Sequence, residues 1–129
     1  MKFSTVILAL FLLVPTQLDV AEAQDTYLTF EMLGEFLKTE KNMKWQSARG
    51  GLQGASRYRP DGSVLTAWND QSRSGSDAGH WRIDGDLLCI KYQRVHSGRE
   101  SCYKLKKTGS NNYLAVDMEG NPAFTNLVD

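Results

Sequence analysis

The sequence predicts a mainly β domain, an antiparallel sandwich or small partial barrel with one N-terminal helix. Three observations carry that expectation. Most of the chain after residue 42 divides into short alternating segments between turn residues, which is the pattern of an all-β domain. One stretch near the start has helical spacing instead. Two cysteines, Cys89 and Cys102, lie on neighbouring segments of a chain that opens with an export signal.

That opening reads Met1-Lys2, an apolar run from Phe3 to Pro15, then Ala21-Glu22-Ala23. A basic start, a short apolar core and an A-x-A ending make a secretory signal peptide, residues 1–23, with cleavage before Gln24. The apolar run is shorter than the roughly 20 residues of a transmembrane helix, and no later stretch reaches that length. Residues 24–129 are then expected as one stapled domain, periplasmic or secreted, with no transmembrane segment after cleavage. A chain of about 100 residues buries roughly two thirds of its unfolded surface, a thin core that a cross-link supplements.

After a short leader, Phe30, Leu33, Phe36 and Leu37 recur at three- and four-residue intervals. Thr29 is placed to cap this helix and Glu31 sits in its first turn, so the spacing predicts a helix from Thr29 to about Lys41-Asn42. Strands follow at Met43–Ala48, Gln53–Arg59 and Ser63–Trp68. Pro60-Asp61-Gly62 turns between the last two, with proline presetting φ and glycine accepting a positive one. Val64, Thr66 and Trp68 share one side of their strand. The polar run Asn69 to Asp77 reads as a loop. Gly79–Asp84 sets Trp81 and Ile83 against His80 and Arg82, and Asp84-Gly85 is a hairpin turn signal. Leu87–Arg94 and Glu100–Lys106 flank His96-Ser97-Gly98. Tyr113–Asp117 and Ala123–Val128 complete the set.

Two cysteines in an oxidising compartment tend to pair, and a Cys89–Cys102 bridge would close a loop of about 14 residues, worth roughly 3 kcal/mol. No metal site is expected, because zinc asks for four ligands and the chain has two histidines to help. No cofactor is expected either. His80 and His96 come without a nucleophile motif, and the serines cluster in turns, so no catalytic residue is assigned and the domain is not expected to be an enzyme. Fifteen basic residues balance fifteen acidic ones, which gives no reason to expect nucleic acid as a partner.

The segments Tyr58-Arg59-Pro60-Asp61-Gly62, Gly79-His80-Trp81-Arg82-Ile83-Asp84-Gly85-Asp86-Leu87-Leu88-Cys89 and Ser101-Cys102-Tyr103-Lys104-Leu105 together resemble a family of small exported bacterial β-rich domains of unknown function. Their shared pattern is Y-x-P-D-G, G-x-W-x-I-x-G-D-x-x-C and C-Y-x-L. The resemblance covers about Leu33 to Asp117, implies a secreted, disulfide-bonded β domain and carries over no catalytic residues. A fainter similarity, through the tryptophan, the Gly-Asp turn and the cysteine, is to periplasmic barrel inhibitors of bacterial metalloproteases. The upstream cysteine of those inhibitors is absent here, and Cys102 lies downstream instead.

The expected function is a non-catalytic binding or envelope-associated module. Its partner would be a protein, glycan or small ligand of the cell envelope. A protease or glycosidase inhibitor is the alternative, and a small hydrolytic enzyme the second. The candidate binding residues are Trp68 and Arg73, beside and within the polar run, with Arg57 and Arg59 as outlying contacts. A polar loop next to an aromatic is the usual composition of a recognition surface on a rigid β scaffold.

Overall fold

The computed structural model describes residues 26–70 and 72–129; the expected signal peptide lies outside them. The chain runs through β1 (Thr26–Tyr27), α1 (Phe30–Phe36), β2 (Lys41–Ser47), β3 (Gln53–Tyr58), β4 (Ser63–Asn69), β5 (Ser74–Asp84), β6 (Leu87–Tyr92), β7 (Glu100–Lys107), β8 (Asn112–Val116) and β9 (Pro122–Val128). From β2 to β9 every strand pairs antiparallel with the next, and β2 pairs back onto β9. The sandwich alternative is therefore corrected: eight strands close into one antiparallel barrel. Closure through Met43↔Val128 to Ser47↔Phe124 leaves β2 and β9 without a free edge, which removes the aggregation hazard of open strands. An eight-stranded barrel has an interior just wide enough for its own side chains or one small ligand.

One end of the barrel is plugged. Thr29 caps α1 by accepting from the Met32 amide at 3.3 Å, and Asp86 in the β5–β6 turn accepts from the Phe30 amide at 2.7 Å. These bonds aim the apolar side of the helix into the barrel, where Leu33 and Leu37 are buried with Val64. The helix stops at Phe36 rather than near Lys41-Asn42. Leu37 leaves helical geometry at φ −91°, ψ 5°, and Lys41 already pairs with Tyr58 in the sheet. Trp81 faces inward at this end, opposite Ile90, and its indole Nε1 donates to the Arg59 carbonyl at 2.8 Å.

The Asn69–Asp77 expectation also changes. β4 runs to Asn69 and β5 begins at Ser74, so the connection is a tight turn in which Asp70 accepts from the Ser72 and Arg73 amides. Ser74 to Asp77 belong to a strand paired with 66–69. Serine, glycine and aspartate resemble loop composition, yet here the glycine makes room for a ring and the aspartate receives amides, as described below.

Cys89 and Cys102 form a disulfide between directly opposed residues of β6 and β7, with Cα atoms 4.0 Å apart. It lies on the outer wall. Arg82, opposite Cys89, reaches over it to hold Glu100 through two bonds of 2.9 and 2.6 Å, and Cys89 is fully buried.

Candidate functional site

The end opposite the helix is built differently. An inward row crosses the wall as Gly75, Trp68, Gly54, Trp45 and Asn126, each opposite the next on the neighbouring strand. The glycines decide where the two indoles lie. A Cβ on Gly54 would strike the Ala67 carbonyl and the Trp45 ring, and one on Gly75 would strike the Trp68 ring. Both indoles therefore lie flat against neighbouring backbone instead of crossing the lumen. What remains is a cavity of about 160 Å³ inside the barrel.

Two kinds of surface line it. Trp45 meets Phe124 edge-on at 5.4 Å, and Phe124 meets Tyr103 in the same manner at 6.0 Å, so one wall is a chain of aromatic rings. One inward pair deeper than Gly54 and Trp68 stands a group of hydroxyls. Ser56 Oγ and Thr66 Oγ1 lie 2.8 Å apart, on directly paired residues of β3 and β4. The Tyr92 phenol reaches both and also Tyr58. Burial, with the nearby Tyr92 and Tyr103, pushes the Tyr58 phenol well above its usual range; burial raises Tyr92 and Tyr103 as well. All three are protonated near neutrality and can donate or accept. Among the described residues, none of those lining the cavity is Asp, Glu, Lys or Arg.

A strap crosses the mouth. Between β6 and β7 the chain makes a short 3₁₀ turn, Val95–Gly98, in which His96 (φ 54°) and Ser97 (φ 57°) adopt left-handed backbone. Such geometry persists for non-glycine residues only when the surroundings enforce it. Asp77 supplies the enforcement, its carboxylate accepting from the Arg94 and Val95 amides at 2.9 Å each and from Ala78 at 2.8 Å. Burial raises the Asp77 carboxyl, but the Val95, Arg94 and Ala78 amides more than offset it and hold the group below the usual carboxylate range. Arg94 adds a bond from Nη2 to the Ser76 carbonyl. Val95 and His96 are thereby placed against the cavity.

Of the residues singled out from the sequence, Trp68 lies inside this cavity. Arg73 is in the turn after β4, at the open end. Arg57 and Arg59 are at the plugged end, on the outside, where both approach Glu40 at 3.9 and 3.6 Å. The structure does not bring the four together. It adds Trp45, Ser56, Tyr58, Thr66, Tyr92, Tyr103 and Phe124, which sequence reasoning left as core or unassigned. Their signal was the shared inward phase of Ser56/Tyr58 and Val64/Thr66/Trp68, polar hydroxyls where a filled core would carry aliphatic groups. Cys89, Cys102 and Glu100 also cluster within 4.8 Å, but the sulfurs are bonded to each other and are not thiolate ligands. Among the described residues no helix is long and apolar enough to cross a membrane. Comparison with protein-family patterns, with characterised proteins and with solved structures gives no match to this chain.

Proposed function

We propose that this domain is an exported, non-catalytic binding module that takes a small ligand into its barrel. One observation carries the reading: the lumen is left unfilled beneath two indoles, with uncharged hydroxyls placed among aromatic rings. Ligand sites combine a mostly apolar concave wall with a few convergent polar groups, and this interior has both. The export signal and the Cys89–Cys102 bridge support a periplasmic or secreted location, where such disulfides persist.

Xenon tests the reading without presuming the ligand's polarity, because it enters accessible apolar space and makes no hydrogen bonds. Oxidised protein lacking residues 1–23, equilibrated under xenon, should show saturable NMR shifts at cavity-lining Met43, Leu52, Ile90 and Val95. Leu33, on the inner side of α1, should not respond. Shifts that are absent or spread evenly over both ends would overturn the interior as a site. Stoichiometric inhibition of an exported protease or lysozyme by a domain that takes up no xenon would replace it with the inhibitor alternative.

A further inference from the structure

We propose that the cavity selects an uncharged single-ring aromatic bearing one hydroxyl or carbonyl, a phenol-type ligand, with its ring against Trp45, Trp68 and Phe124 and its polar substituent at the Ser56–Thr66–Tyr92 hydroxyls. This rests on the interior being the ligand site and adds the chemistry of what enters it.

Size sets the first limit. A void near 150 Å³ is known to hold one benzene ring, and about 160 Å³ has room for that ring and a small substituent but not for a fused polycycle or an acyl chain. Charge sets the second. Among the described residues no Asp, Glu, Lys or Arg side chain lines the cavity, and the nearby Asp77 carboxylate is already committed to the Arg94 and Val95 amides of the strap and to the Ala78 amide. A carboxylate or ammonium moved here would lose its hydration with no Asp, Glu, Lys or Arg to pair with, the His96 imidazole at the mouth being the one titratable nitrogen of the described lining. The ligand is therefore neutral.

Shape and polarity follow from the walls. Indoles held flat by Gly54 and Gly75, with Phe124 edge-on to Trp45, form the faces and edges against which a planar ring packs best. One inward pair deeper on the same strands, Ser56 and Thr66, together with Tyr92, carry hydroxyls whose protons rotate to suit a partner. The Tyr58 and Tyr92 phenols stay protonated, so they remain donors at neutral pH. These hydroxyls already pair with one another, and no buried side-chain nitrogen or oxygen among the described residues lacks a partner, but each keeps spare acceptor capacity that a ring hydroxyl can use and a hydrocarbon ring cannot. A ring with one hydroxyl completes the set. About five waters, at roughly 30 Å³ each, are the competing occupants.

Calorimetric and NMR titration of the oxidised domain with phenol, benzene, cyclohexanol and benzoate separates these contributions. Phenol should bind at least tenfold tighter than benzoate and than benzene, with shifts at the Trp45 and Trp68 indole N–H. Tyr92→Phe, or Thr66→Val should that variant fold poorly, should reduce the phenol-over-benzene preference below threefold. Benzoate or cyclohexanol binding as tightly as phenol would overturn the inference, as would a cavity holding water only. Xenon uptake without any phenol preference would end the ligand class while leaving the interior as a site. Failure of xenon itself would end the underlying reading.

Discussion

Both ends of the barrel use tryptophan, and they use it to opposite effect. At the plugged end Trp81 stands opposite Ile90, bonds the Arg59 carbonyl and joins the core that α1 brings down as Leu33 and Leu37. At the open end Trp45 and Trp68 stand opposite glycines, lie back against the wall and leave the lumen empty between them. The residue type is the same; the volume across the strand decides whether an indole fills the barrel or lines it. Packing on the helix and the proposed binding thus fall toward different ends of one sheet, with Leu88 and Ile90 bordering both.

The sharpest way to break that comparison is to truncate one tryptophan from each end. Trp81→Ala removes a packed ring and orphans the Arg59 carbonyl, and should cost about 3–5 kcal/mol in urea unfolding. Trp68→Ala removes a ring that already faces open space and should cost about 1 kcal/mol or less, while changing ligand binding. Equal losses at the two sites would show that the ends are not specialised.

The disulfide sharpens the comparison from a different direction. The 13-residue separation between Cys89 and Cys102 encloses the whole strap over the mouth. Replacing both cysteines with alanine should lower stability by about 3 kcal/mol, as the chain-entropy account of a loop this size gives. Native-state amide exchange should speed up most at residues 93–99 and least beneath the helix. Uniform acceleration would mean that the bridge serves the barrel as a whole and has no particular bearing on the mouth.

How much of this was legible beforehand follows from where the information sits. The strand segments and the Asp84-Gly85 hairpin were readable because alternation and turn chemistry are local, and the register Trp81↔Ile90 and Ile83↔Leu88 follows from that turn. Closure was not legible, because the β2–β9 pairing joins segments some 80 residues apart and no local pattern encodes it. The cavity was missed for a related reason. Gly54 and Gly75 read as weak strand or loop residues until the barrel sets each beneath a particular indole. Asp77 likewise looked like loop polarity, since its partners Arg94 and Val95 lie 17 and 18 residues away.

The two glycines offer a test with an internal control. A methyl at Gly54 meets backbone, the Ala67 carbonyl, as well as the Trp45 ring, so Gly54→Ala should cost about 2 kcal/mol through overpacking. The three atoms nearest a methyl at Gly75 all belong to the Trp68 ring, which can swing into the lumen. Gly75→Ala should therefore cost about 1 kcal/mol and abolish xenon and phenol uptake. An unaltered cavity in Gly75→Ala would show that the glycine does not set the position of the ring.

Asp77 gives the smallest expected effect and the one most specific to the open end. Asparagine keeps a single acceptor oxygen where the carboxylate serves three amides, so Asp77→Asn should cost about 1 kcal/mol, in line with leaving a donor unpaired. Because the carboxyl is held below its ordinary range, its contribution is complete above about pH 5 and falls away as pH drops through the folded-state value. Amide protection at Val95 and His96 should thus be higher in the unaltered protein than in Asp77→Asn at pH 7, and the two should converge as the pH falls through the folded-state value of the carboxyl. Asp61, Asp70 and Glu100 are also held low and will weaken the protein in acid, but they do so in both variants and cancel in the difference. Identical strap protection at pH 7 would show that Asp77 is not the tether. The left-handed His96 and Ser97 would then have to be held by Arg94 through the Ser76 carbonyl.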